Sequence, residues 1–168
     1  MYLLSQIFGF AAIVVAYFIY QQGKRKNVIL LKLIADVLWV LCFVFVGGYT
    51  GALTTFVSIF REIVFYNRFK KKWAGSKFWL CLFMGIYIFI GILNIENIFE
   101  ILPTLASSVS TIGYWNKNVK AFKLISIPVS LCMLIYNIYC MSIAGIWNEV
   151  ITLSSIIIFS IREKWNKK

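Results

Sequence analysis

The sequence contains no histidine. That removes the commonest general base and the commonest metal ligand. It has no C-x-x-C pair either. Cys42, Cys81, Cys132 and Cys140 each stand alone in an apolar run, where a buried thiol acts as a small apolar residue. There is no H-E-x-x-H motif and no glycine-rich phosphate loop. The chain is therefore expected not to be an enzyme and to need no metal or cofactor. Charge is scarce: 14% of residues are charged, against about 25% in soluble domains. Acidic residues number six and prolines two, Pro103 and Pro128. The opening MYLLSQ lacks a positive segment, so no cleaved signal peptide is expected.

What is abundant is apolar surface. Apolar residues make up 61% of the 168, and the mean hydropathy is +0.85. A membrane span needs about 20 residues, so seven spans use nearly the whole chain. They are predicted at residues 3–20, 28–46, 50–69, 78–93, 98–115, 122–141 and 146–161. The fold class expected is all-α integral membrane, with the lipid bilayer as the obligatory partner.

The 17 Lys and Arg residues alternate along this frame. They cluster after the first span (Lys24, Arg25, Lys26), after the third (Arg68 to Lys77), around the fifth-to-sixth loop (Lys117, Lys120, Lys123) and in the tail. The loops after spans two, four and six have none. Positive loops stay in the cytoplasm, which predicts the N-terminus outside and the C-terminus inside. Basic residues confined to short loops suit anionic inner-leaflet lipid better than nucleic acid, which is not an expected partner.

Three spans, one isolated span and three spans suggest duplication. The boundaries expected are a first repeat at 1–72, a linker helix at 73–95 and a second repeat at 96–168. The intervening helix gives both triplets one orientation, so the repeats are parallel. At an offset of 94, Gly51 matches Gly145, Thr54 matches Asn148 and Ser58 matches Thr152. At 95, Gly9, Ala12 and Ala16 fall on Thr104, Ser107 and Thr111.

Polar residues inside the spans supply the candidate site. On span five, Thr104, Ser107, Ser108 and Thr111 lie at i, i+3, i+4 and i+7, one helical face. Asn148, Thr152 and Ser155 repeat that spacing on span seven. The substrate-binding candidates are Thr54, Ser58, Ser107, Ser108, Thr111, Asn148 and Thr152, a neutral polar seam between the triplets. Such hydroxyls equally suit plain helix packing. Intramembrane charges are costly and usually paired. Asp36 and Arg61 lie at similar depth on adjacent spans, so an Asp36–Arg61 ion pair is predicted, extended by Lys32 and Glu62. Asn137 and Glu149 share a depth near the other face and are expected to hydrogen-bond. Glu96 and Glu100 are expected at the outer face.

The segments EILPTLASSVSTIGYW (100–115), YNIYCMSIAGIWNEVITLSS (136–155) and GALTTFVSIFREIVF (51–65) resemble the bacterial YgjV-type inner-membrane family. The 3+1+3 layout is similar to the SWEET/PQ-loop transporter superfamily. At the Pro-Gln positions of that superfamily this chain reads Tyr20-Gln21 and Trp115-Asn116, and of the hinge prolines only Pro128 is well placed. The resemblance implies a carrier or facilitator of a small polar solute, with Asn148 as counterpart of a sugar-binding asparagine. The competing expectation is a non-transporting accessory or regulatory membrane protein.

Overall fold

The computed structural model describes residues 1–94 and 97–165. Among them the chain forms seven α-helices: α1 Tyr2–Gln21, α2 Arg25–Val46, α3 Tyr49–Asn67, α4 Lys77–Leu93, α5 Ile98–Trp115, α6 Val119–Tyr139 and α7 Ile143–Trp165. A short 3-10 turn, Lys72–Gly75, precedes α4. Each helix overlaps one expected span.

The helix ends follow from local chemistry. Ser76, Asn97 and Asn118 accept a hydrogen bond from the backbone amide two residues on, capping α4, α5 and α6. The two tight hairpins share one geometry. After α2, Gly47 takes the left-handed conformation, φ 86°, and the Gly48 amide donates to Phe43 O at 2.9 Å. After α6, Met141 takes it at φ 53°, and the Ser142 amide donates to Asn137 O at 2.9 Å. Both are Schellman closures, a form that glycine adopts without penalty and methionine does not. Met141→Gly is therefore expected to raise unfolding stability by about 1 kcal/mol, read as a higher Tm in detergent; a lower Tm would contradict the strain.

The principal helix contacts run α1–α2, α2–α3, α3–α5, α5–α6, α6–α7 and α7–α1. Those six helices close a ring. α4 stands outside it, packed on α3 and α5. Close approach within the ring rests on small residues: a Cβ on Gly9 would strike Ala144, and one on Gly145 would strike the Asn137 side chain. Arg25 ties three helices at the opposite end from the hairpins, donating to Phe65 O at 3.1 Å and Tyr114 O at 2.7 Å. Those carbonyls belong to the last turns of α3 and α5, where a cation complements the helix dipole.

The polarity is inverted relative to a soluble protein. Outward faces carry Leu3, Ile7, Phe10 and Val14 on α1, and Ile88, Phe89 and Ile92 on α4, all exposed. Buried positions hold Asp36, Arg61, Glu62, Lys123, Asn137 and Glu149. Soluble monomers rarely expose apolar patches beyond a few hundred Å², whereas lipid demands this arrangement. By length and composition α1, α2 and α6 can each cross a membrane, and α4 and residues 143–158 of α7 are shorter apolar helices. α3 and α5 are less apolar because they carry the hydroxyl and charged residues of the ring's interior.

Candidate functional site

The ring encloses a cavity of about 130 Å³. All six ring helices line it and α4 does not. Its walls are Ala16 and Ile19 of α1; Lys32, Ala35, Asp36, Trp39 and Phe43 of α2; and Thr54, Thr55, Ser58 and Arg61 of α3. Across from them stand Ala106, Ser107, Ser110 and Tyr114 of α5, a face of α6 from Phe122 to Asn137, and Asn148, Glu149 and Thr152 of α7.

Arg61 is the structural centre of one wall. It is 1% exposed. One guanidinium nitrogen donates to Ser107 O (3.1 Å), Ser110 Oγ (2.9 Å) and Thr111 Oγ1 (2.8 Å), and the other to Glu62 Oε1 (2.9 Å). The rings of Tyr87 and Tyr114 lie 5.7 and 5.1 Å from its central carbon, within cation–π range. The planar fork suits this divided role, serving a carboxylate and a neighbouring helix together. Asp36 pairs with Lys32 one turn earlier on α2. Glu149 Oε1 accepts from Asn148 Nδ2 at 2.9 Å.

Two expected pairings are not formed. Asp36 and Arg61 line the same cavity without bonding, because each finds its counter-ion on its own helix: Lys32 at i−4 and Glu62 next door. Arg61 then spends its remaining donors on α5 rather than α2. Asn137 and Glu149 are likewise unlinked. Asn137 Oδ1 is buried with no partner and its side chain abuts Gly145, while Glu149 turns to Asn148.

Of the substrate-binding candidates, Thr54, Ser58, Ser107, Asn148 and Thr152 line the cavity. Ser108 and Thr111 are not among the lining residues. Ser108 bonds back to Thr104 O, and Thr111 is held by Arg61. Thr104 lies against Gly91 of α4. The α5 stripe is therefore split: α5 is packed between α4 and the ring interior, and only its edge at Ser107 reaches the cavity. Lys32, Asp36, Arg61, Asn137 and Glu149 of the charged and amide set line the space, with Glu62 behind Arg61. Sequence reasoning missed Ser110, Ser126 and Ser130. Ser126 and Ser130 are i, i+4 and could have been found as a hydroxyl pair on α6. Glu100 accepts from Tyr136 Oη at 3.4 Å, and Glu96 lies outside the described residues.

A family model described as Imp-YgjV, bacterial inner membrane protein, matches residues 3–167. The chain belongs to this family. Membership of Imp-YgjV agrees with the apolar exterior and the buried charges, and makes the chain a bacterial membrane protein that contacts the lipid bilayer. No curated protein and no solved structure matches the chain. The polar cavity is thus a feature of this Imp-YgjV protein read from its own residues.

Proposed function

We propose that the chain is a carrier or facilitator of a small polar solute, built from two parallel three-helix repeats around a central binding site. The observation that carries this reading is the cavity. A water needs roughly 10–15 Å³ on the same measure, so about 130 Å³ holds several waters or one small solute. Midplane sites at repeat interfaces are typical of secondary transporters.

The repeat has support beyond the loop charges. At an offset of 94, the α2 lining residues Lys32, Ala35, Asp36, Trp39 and Phe43 fall on Ser126, Val129, Ser130, Met133 and Asn137 of α6, and each of those also lines the cavity. Thr54, Thr55 and Ser58 of α3 fall on Asn148, Glu149 and Thr152 of α7, again all lining. The left-handed residues Gly47 and Met141 share the offset, as do the closing carbonyls of Phe43 and Asn137. Contacts α3–α5 and α7–α1 are equivalent under the same exchange. In this reading all seven helices cross the membrane with the N-terminus outside, as the basic loops favour. The hairpin end is closed by tight packing, with Tyr136 Oη accepting from the Gly51 amide at 3.0 Å. Toward the basic-loop end Lys32 keeps 25% of its side chain exposed, which favours entry from that side.

The test is uptake by vesicles reconstituted with the purified chain, across sugars, amino acids and vitamins. A flat response from demonstrably folded protein would overturn the reading in favour of an accessory role. Cysteine labelling adds an independent check. In a cysteine-free background, Thr152→Cys should react with a small hydrophilic thiol reagent at least ten times faster than Ser108→Cys. Equal protection at both would mean that the cavity does not admit water.

A further inference from the structure

Resting on the transport reading, we infer that the cavity takes a small organic ammonium, a solute with one positive charge seated against the Glu149 carboxylate. The charge count of the walls comes first. Lys32 is bonded to Asp36, and Arg61 to Glu62. Glu149, 7% exposed, is the carboxylate left over, and among the described residues it makes no ion pair. Its hydrogen-bond donor, Asn148, is neutral. The cation that faces it across the cavity is Lys32, already engaged by Asp36. Lys123, buried at the inner end of α6, has an interaction of its own and is not a lining residue. Lys32 and Arg61 each already hold a bonded carboxylate, so among the described lining residues Glu149 is the carboxylate without an ion pair. An uncompensated buried charge is costly, and a bound cation offsets that cost.

Hydrogen-bond capacity points the same way. Asp36 Oδ2 and Asn137 Oδ1 are buried acceptors without partners, on side chains 0% and 1% exposed, and both residues line the cavity. An ammonium group offers up to three donors and no acceptor. The unpartnered lining donor, Arg61 Nε, belongs to a guanidinium already committed to Glu62 and α5. Trp39 and Phe43 form an aromatic wall within a turn or two of Asp36, a surface that attracts cations. Packing does not require the carboxylate: at the offset of 94 the position of Glu149 is filled by Thr55, which also lines the cavity. Among the described residues there is no group of three His, Cys, Asp or Glu side chains suited to a metal ion. Dispersed acceptors beside aromatic rings fit an organic cation better.

The experiment compares three probes of similar size: ethanolamine (cation), ethylene glycol (neutral) and glycolate (anion). Thermal unfolding of the purified chain and uptake by reconstituted vesicles are both read. Ethanolamine should raise Tm and accumulate, and the other two should do neither. Glu149→Gln keeps the side-chain volume and should weaken the ethanolamine response at least tenfold. Glu149→Asp, which keeps the charge, should retain most of it. An equal response to all three probes, or an unchanged one in Glu149→Gln, would overturn the inference. If Glu149→Gln fails to fold, the charge selectivity of the wild-type chain decides the matter by itself. Uptake of neutral solutes without any ethanolamine response would overturn the ammonium assignment and leave the transport reading standing. An ethanolamine-dependent Tm shift with no uptake of any solute would support the cation site and defeat transport.

Discussion

Replacing Arg61 by alanine is expected to destabilise the protein by about 3–5 kcal/mol, the cost of breaking a buried ion pair from one side. Glu62 is 0% exposed, and its second oxygen already lacks a partner. Without the guanidinium its charge would stand alone inside the ring. The same change removes the side-chain tie between α3 and α5, since Ser107 O, Ser110 and Thr111 all accept from one Arg61 nitrogen. Arg61→Lys should recover little, because a single ammonium cannot reach Glu62 and α5 together. Arg61→Met with Glu62→Leu should recover most of the loss, because burying neither charge is often as good as burying both. The α5 hydroxyls would not be stranded: Ser110 and Thr111 also donate to Ser107 O, at 3.0 and 2.6 Å. Thermal unfolding in detergent reads all four proteins. If the double variant were as unstable as the alanine variant, the pair would not be the source of the effect.

The second large effect is steric. Gly51 opens α3 against α6, and a Cβ there would lie 2.7 Å from the Tyr136 ring and 3.2 Å from the Phe43 ring. Both rings are buried, at 0% and 2% exposure, so neither can swing aside into lipid. The approach also brings the Gly51 amide to the Tyr136 hydroxyl. Gly51→Val is therefore expected to cost about 1–3 kcal/mol, the usual range for overpacking, or more if the hairpin end opens. Gly85 on α4 is the control. A Cβ there meets nothing within 4 Å, and valine should be nearly neutral. Comparable losses at both glycines would indicate a general intolerance of valine in these helices rather than a specific contact.

The two sites differ in how far the sequence announced them. Gly51 appeared as a partner of Gly145 in a weak internal repeat, and the buried charges appeared as costly residues in apolar runs. Their depth was countable at about 1.5 Å per residue. Their rotation about the helix axis was not, so Asp36 and Arg61 were matched by depth although each had a nearer counter-ion on its own helix. The hydroxyl stripe of α5 failed for a related reason. Spacing shows that Thr104, Ser107, Ser108 and Thr111 share a face, but which neighbour that face meets depends on where α4 docks. With α4 packed on α3 and α5, Thr104 meets Gly91, and Ser107 with Ser110 meets the cavity.

The sequence by itself determined the membrane class, the approximate helices and the residues that lipid could not accommodate. Those are local properties: apolar length, loop charge and side-chain type. Only the tertiary structure decided that six helices close a ring, that α4 stays outside it and that Glu149 faces the cavity without an ion pair. Each of those depends on contacts between residues up to about 140 positions apart, such as Tyr2 with Met141, and helical period carries no information on which faces meet.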